Sequence, residues 1–350
     1  MTGVERIQIS PLHNISRVLK GGWQLAGGHG EIDHHQAMDD MRAYVAAGIT
    51  TFDCADIYTG VEELIGQFLR HERDAFANGS LPAVQVHTKY VPDLALLPRL
   101  TFADTKAVID RSLERLGLER LDLVQFHWWD YDTPGYVEAA LHLQRLQAAG
   151  KIKHLAVTNF DVPHLVEILE AGVRIATCQV QYSVLDQRPR EQLVPLCRYE
   201  QMHLLCYGTV AGGFLSDRYL GVAETQHPLE NRSLTKYKLI IDEFGGWEAY
   251  QALLRTLRAI ADRHDSSIAV VATRFVLQQP TVAAAIVGAR HARHLPETLG
   301  IFAFSLDRDE LQAIEDHIAQ APGPSGPVYA LERVKGGRHA SIMKYNLNKE

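Results

Sequence analysis

The chain has 350 residues, 46% of them hydrophobic and 22% charged, which suits a water-exposed globular protein large enough to bury a core without disulfides or metals. A net charge of −7 with a pI near 6.2, and no run rich in Lys and Arg, excludes the basic footprint of a nucleic-acid binder. No apolar run approaches the ~18 residues of a membrane span, so no membrane partner is expected. In chain order, a short β-like run over 17–23 holds Gly21-Gly22, and residues 33–47 have helical spacing that stops at Gly48. Residues 50–55 read as a strand and 61–73 as a helix. Strands follow at 84–89 and 121–128, with a helix at 104–116 closed by Gly117 between them. A helix at 136–149 stops at Gly150, a strand runs over 154–160, and a helix at 162–171 stops at Gly172. Residues 176–182 and 203–207 are strand-like around a helix at 191–200. Helices at 248–262 and 268–278 precede the last strand at 283–287, with short helices at 296–300 and 309–318 beyond it.

This order gives eight β-like segments with helices between them, the pattern of an α/β chain with a parallel sheet. Eight such units predict a (β/α)8 TIM barrel, as one domain over 1–350 with its core at about 17–318. A doubly wound sheet is the alternative, but the G-x-G-x-x-G spacing it calls for after the first strand is absent at Gly21-Gly22-Trp23-Gln24. The stretch from Gly212 to Gly246, with Gly213, Gly221, Pro228 and Gly245, is predicted as a long functional loop after strand seven. The tail over 322–350 opens Pro-Gly-Pro-Ser-Gly-Pro and either packs over the barrel or frays. Cys54, Cys178, Cys197 and Cys206 form no C-x-x-C pair, and the position of Cys54, Cys178 and Cys206 inside β-like runs suggests buried reduced thiols. With no signal-like N-terminus, these predict a cytoplasmic protein.

Four chemistry-bearing residues sit at or just past the tails of successive strands: Asp53, Tyr58, Lys89 and His127. In a parallel barrel the C-terminal strand ends converge on one face, so these residues would meet in one pocket. Taken singly, each has an ordinary reading, as a turn Asp, a packing Tyr or a rim His. Together they make a phenol proton donor with tuning partners, a set suited to reducing a carbonyl. A free phenol titrates near 10, and a neighbouring ammonium would lower that value.

The order of motifs resembles the aldo-keto reductase superfamily. The resemblance covers about 17–318 and rests on Phe-Asp-Cys-Ala-Asp-Ile-Tyr at 52–58, Thr88-Lys89, Phe126-His127 and Val157-Thr158-Asn159-Phe160. It continues in Gln179-Val-Gln-Tyr182, in Tyr207-Gly-Thr-Val-Ala-Gly-Gly-Phe-Leu and in Ile286-Val-Gly-Ala-Arg290. It implies that Tyr58 is the general acid, that Lys89 and Asp53 pair beside it, and that a neutral His127 donates to and polarises the carbonyl. It further implies a nicotinamide cofactor, NADP(H) with NAD(H) also possible. Thr158, Asn159 and Gln179 would clamp the carboxamide, and Tyr207 would stack on the ring. Gly208, Val210, Ala211, Gly212 and Leu215 would follow the pyrophosphate, and Gly22 and Trp23 would border the same site. Val287, Gly288, Ala289, Arg290, Arg293, His294, Glu297 and Thr298 would surround the adenosine end. The basic residue, Arg and Asn that NADPH-specific members often carry are only partly matched there, by Arg290 and Arg293, with His294 and Thr298 at the other positions.

Trp23, Trp128, Trp129 and the Gly212–Gly246 loop are expected to wall the substrate pocket. The His-dense pairs His34-His35 and His291 with His294 lack the carboxylate or Cys spacing of a metal site, so no metal is expected. The reading is an NADPH-dependent carbonyl reductase acting on a small aldehyde, ketone or alcohol. The alternative is a low-turnover cofactor-binding regulatory subunit of the same fold. A metal-dependent barrel hydrolase would need more His and carboxylate ligands at strand ends than this pattern offers. The sequence carries no expectation about oligomeric state.

Overall fold

In the computed structural model, which describes residues 3–27, 30, 32–224, 229–288 and 290–348, the chain first makes a hairpin. Strands β1 (Arg6–Ser10) and β2 (His13–Ser16) pair antiparallel with Ile7 opposite Ile15. Eight parallel strands then close into a barrel in chain order. They are β3 (Val18–Gly21), β4 (Thr51–Asp53), β5 (Gln85–Tyr90) and β6 (Leu121–Phe126), then β7 (Ile152–Thr158), β8 (Thr177–Gln181), β9 (His203–Tyr207) and β10 (Val282–Gly288). β10 returns to pair with β3, with Gly288 opposite Gly21. The architecture is the (β/α)8 barrel, with helices packed around the outside.

Side chains alternate between the two faces of a strand, and here the faces meet different surroundings. On β6, Leu123 joins Leu19, Ala156 and Leu205 in the barrel interior. Val124 and Phe126 point the other way, into the layer shared with the helices. The same parity carries Gln125 and then His127 up the inner face. It also turns Trp128 outward. The glycine stops behave as capping residues: Gly48, Gly117, Gly150 and Gly172 all lie in the left-handed region, at φ of 96, 68, 80 and 86°.

The hairpin plugs the N-terminal end of the barrel, where Ile9 and Ile15 are buried against the interior cluster. Beside them His13 Nε2 meets His87 Nε2 at 2.9 Å, and the His13 and His154 ring centroids are 4.9 Å apart. One ring of the His13–His87 pair must donate and the other accept, so neutral imidazoles suit this contact. Burial, then the neighbouring His154 and Lys153, pushes His13 down to about 3. Burial pushes His154 down to about 4 and His87 well below its ordinary value.

The stretch from Gly212 to Gly246 is not irregular throughout. It holds a 13-residue helix, Arg232–Phe244, capped by the Asn231 side chain and stopped by Gly245 at φ 132°. Leu234, Tyr237, Ile240, Ile241 and Phe244 form its buried face. Residues 225–228 of this stretch, Pro228 included, and Ala289 lie outside the described residues.

The tail packs over the C-terminal end of the barrel. Glu332, on the short helix Ala330–Arg333, pairs with Arg188 at 3.0 Å, and Arg188 also holds Asp186 at 2.7 Å. Both carboxylates are fully buried. Further along, the Tyr345 carbonyl accepts from Leu94 N at 3.0 Å, and Asn348 Nδ2 donates to the Val91 carbonyl at 2.7 Å. All four cysteines are free and buried. No helix among the described residues is long and apolar enough to cross a membrane.

Candidate active site

Asp53, Lys89 and His127 occupy the ends of β4, β5 and β6, and Tyr58 sits in the loop after β4. All four line one cavity of about 910 Å³ at the C-terminal face of the barrel. Asp53 is its organising charge. Lys89 Nζ donates to Asp53 Oδ2 at 2.7 Å, while Gln125 and Gln179 donate to Oδ1 at 2.8 and 2.6 Å. Lys89 gives a second hydrogen to the Cys54 carbonyl at 2.9 Å. Burial alone would lower the Lys89 pKa, but Asp53 and the Tyr58 phenol outweigh it and hold the ammonium above its ordinary value.

Lys89 Nζ lies 4.9 Å from the centre of the Tyr58 ring. The expectation that the ammonium lowers the phenol's pKa meets an opposing effect. Burial is the larger influence, so the Tyr58 pKa is raised on balance, with Lys89 pulling it back down. The protonated phenol is therefore the resting form at neutral pH.

His127 is neutral, as expected. Burial first, and then the Arg333 guanidinium, push it down to about 3. Its hydrogen is not where the carbonyl-donor role needs it. Nδ1 lies 3.1 Å from the Thr158 carbonyl, which can only accept, so Nδ1 carries the hydrogen. The Nε2 lone pair is buried without a partner among the described residues.

The clamp residues Thr158, Asn159 and Gln179 come together at the ends of β7 and β8. Thr158 Oγ1 donates to the Gln179 carbonyl at 3.2 Å, and Asn159 N donates to the same carbonyl at 2.9 Å. Asn159 takes a left-handed φ of 61° and accepts at Oδ1 from the Tyr207 hydroxyl at 2.9 Å. The Asn159 amide hydrogens and Gln179 Oε1 have no hydrogen bond with any described residue. They offer a donor and an acceptor in the same cavity, which fits a carboxamide. Tyr207, Gly208, Val210, Gly212 and Leu215 line the cavity beyond them. Gly208 and Gly212 are required there: a Cβ at either would fall 2.5 and 2.7 Å from atoms of Tyr237. Ala211 is fully buried.

Val287, Gly288, Arg290, Arg293, His294, Glu297 and Thr298 line the far arm of the cavity. Thr298 Oγ1 spends its hydrogen on the His294 carbonyl at 2.9 Å, and Glu297 accepts from Ser267 Oγ at 2.6 Å. The loop is held by Asp40, which accepts from Ala292 N at 2.8 Å.

Two expected contacts are misplaced, both by strand parity. Gly22 faces away from the cavity, where its N–H donates to the Asp53 carbonyl at 2.7 Å; Gly21 is the glycine that lines the cavity. Trp128 follows Val124 and Phe126 outward, is fully buried, and donates to the Asp130 and Thr133 carbonyls at 3.0 Å. Trp129, past the strand end, does wall the cavity, with its ring edge-on to His127 at 4.4 Å. Trp23 walls it from the opposite side, 5.1 Å from Tyr58 between ring centroids.

Sequence reasoning placed the Gly212–Gly246 stretch in the pocket wall but missed its helix, and it missed the lining residues of the tail. Tyr329, Met343, Lys344 and Leu347 line the cavity from the tail, and Lys236 and Tyr237 from the helix Arg232–Phe244. The helix had a signal in its apolar spacing. The tail had none, because its segments are too short to show a period.

Comparison with known proteins agrees with this geometry. The sequence model of the aldo/keto reductase family matches residues 17–319. An aldo-keto reductase of Bacillus subtilis, YhdN, is 25% identical over 319 residues, covering 88% of this chain and 93% of the relative. An NADH-specific methylglyoxal reductase of Escherichia coli is 24% identical over 321 residues, covering 83% and 91%. The structure of a glycerol dehydrogenase from Gluconobacter oxydans superposes with a TM-score of 0.76 at 26% identity, covering 92% of this chain and 98% of that one. With its barrel closed and its strand ends carrying Asp53, Lys89 and His127, the chain belongs to the aldo/keto reductase family, oxidoreductases that use nicotinamide cofactors.

Proposed function

We propose that this protein reduces an aldehyde or ketone to an alcohol, with Tyr58 as the proton donor and NADP(H) as the preferred cofactor. The observation that carries the reading is the cluster itself. A half-buried phenol, an ammonium 4.9 Å from its ring and an unpartnered imidazole nitrogen share one cavity. When bound, the nicotinamide supplies or accepts the hydride.

The chain's own residues supply the rest. The Asn159 amide and Gln179 Oε1 bind the carboxamide, and Tyr207 offers a ring for stacking. Tyr58 rests protonated, so it can give its hydrogen to a carbonyl oxygen placed against it. The phenolate left behind is stabilised by Lys89, whose charge Asp53 secures. His127 completes the oxygen's surroundings. With its hydrogen on Nδ1 it accepts from the alcohol hydroxyl; with the hydrogen on Nε2 it donates to the carbonyl, at the cost of the Thr158 bond, about 1 kcal/mol. Trp23, Trp129 and Tyr329 keep water from the site.

Arg290 and Arg293 favour a 2′-phosphate, which carries up to two negative charges and suits a guanidinium fork. The Escherichia coli relative is NADH-specific, so NADPH is not the only cofactor used among the relatives. The preference for NADPH should be modest, with NADH still accepted. The test is cofactor oxidation by the purified protein with a panel of aldehydes and ketones, each with NADPH and NADH. Turnover with a higher kcat/KM for NADPH supports the reading. Tight cofactor binding without turnover of any carbonyl would instead indicate a regulatory subunit.

A further inference from the structure

Arg333 lies at the end of the short tail helix Ala330–Arg333, far in sequence from the barrel strands. One nitrogen of its guanidinium donates to the Trp128 carbonyl at 2.8 Å, and another donates to the Asn159 carbonyl at 3.0 Å. These carbonyls belong to the residues immediately after Thr158 and His127. The Thr158 carbonyl is in turn the acceptor for His127 Nδ1 at 3.1 Å. A single planar fork therefore spans the ends of β6 and β7, on either side of the bond that fixes the imidazole. The fork is itself held between rings, 4.1 Å from the Tyr131 centroid and 5.1 Å from that of Tyr329. Tyr329 has a left-handed φ of 61°, an unfavourable conformation for a residue with a Cβ, and presents its ring edge-on to His127 at 5.6 Å between centroids.

We propose that Arg333 is a positioning residue for His127, delivered by the tail, whose two carbonyl bonds hold the imidazole's tautomer and direction. The proposal rests on the reading that His127 contacts the reacting oxygen only for its effect on turnover. Its effect on the imidazole stands separately. A lysine could carry the charge but could not reach both carbonyls from one rigid plane.

The electrostatics run the same way. The groups facing His127 are Lys89 with its Asp53 counterion from the β5 and β4 ends, Tyr58 from the loop after β4, and Tyr329 and Arg333 from the tail. Burial and then Arg333 are the main causes that hold His127 neutral, with Lys89 adding to them and the Thr158 carbonyl opposing. Arg333 therefore pins the peptides around His127 and disfavours its protonation.

The test compares Arg333→Met and Arg333→Lys in the full chain. Nitrogen NMR of His127 reads its tautomer and its titration directly, without reference to activity. Steady-state rates with NADPH and 4-nitrobenzaldehyde, as a function of pH, read the catalytic consequence. In Arg333→Met the His127 titration should rise by about one unit or more, as loss of a nearby cation requires. The preference for hydrogen on Nδ1 should weaken, and kcat should fall about 10- to 100-fold, the effect of a misplaced catalytic group. Arg333→Lys should keep the titration near the wild-type value and still lose tautomer preference and kcat. An unchanged tautomer in Arg333→Lys, or an unchanged titration in Arg333→Met, overturns the proposal. If the imidazole responds as stated while turnover does not change, the positioning stands and the assignment of His127 to the reacting oxygen fails. Loss of turnover in His127→Gln would independently support that assignment. Should Arg333→Met fail to fold, Arg333→Lys alone decides between the two outcomes for the tautomer.

Discussion

Lys89 has three hydrogens to give and commits two of them, to Asp53 Oδ2 and to the Cys54 carbonyl. The third points its charge toward Tyr58, where it offsets the effect of burial on the phenol. Lys89→Met should leave that effect unopposed and raise the Tyr58 pKa further. On the proposed reading alcohol oxidation needs the phenolate, so its rate should then rise only at a higher pH. The variant also leaves Asp53 buried with amide donors alone, so circular dichroism must first show it folded. A folded variant with the wild-type pH profile would refute the coupling. At the far arm of the cavity the relevant residues are Arg290 and Arg293. Replacing both with Ala should weaken NADPH binding by roughly 1–3 kcal/mol, the range for hydrogen bonds to charged groups, and barely alter NADH binding. Titration of each cofactor against Trp fluorescence measures both. Equal losses would place the two arginines away from the 2′-phosphate.

Among the elements, the barrel strands were legible because each is a short apolar run followed by a helix, four of them opening after a glycine stop, and that pattern repeats. Asp53, Lys89 and His127 were legible for the same reason, as polar residues ending those runs. Gly22 and Trp128 were misread because composition does not reveal parity. Counting in twos from Leu123 along β6 puts His127 inward and Trp128 outward, but only once Leu123 is known to face the interior. The helix Arg232–Phe244 was hidden by the glycines and proline around it, although Leu234, Tyr237, Ile241 and Phe244 recur at helical spacing. The sequence left the tail either packed over the barrel or frayed, since its attachment depends on single long-range contacts. Of these, the Arg188–Glu332 pair is the most buried, and Arg188 with Lys236 holds the Glu332 carboxyl down at about 2 against the opposing effect of burial. Glu332→Gln should therefore loosen the tail selectively. Breaking a buried pair costs roughly 3–5 kcal/mol, and the remaining Asp186 contact sets that as an upper bound here. Hydrogen exchange should speed up at residues 330–348 and stay unchanged in the barrel strands. Uniform acceleration would mean that the tail is not a separate layer.

At the scale of the molecule, the barrel is stoppered at one end by the hairpin and its imidazoles and open at the other to the cavity. His13, His87 and His154 all titrate lower in the folded chain than the ordinary 6.5. Below that pH the unfolded chain binds more protons, so the stability they contribute is full above 6.5. It is lost as the pH falls toward the folded values, about 4 for His154 and about 3 for His13. The loss approaches ~1.4 kcal/mol per pH unit for each fully buried ring. Urea unfolding at pH 7.5 and 5.0 should show a lower midpoint at pH 5.0, and His13→Gln should flatten that difference; equal wild-type midpoints would contradict it. The proposed chemistry lies at the other end, at Tyr58. The most direct measurement is rapid mixing of Tyr58→Phe, already saturated with NADPH, against a reactive aldehyde. Loss of only the phenolic hydroxyl should slow hydride transfer by about 10²–10⁴-fold, the usual contribution of a general acid, while the dissociation constant for NADPH stays at the wild-type value. Hydride transfer at close to the wild-type rate would contradict the account.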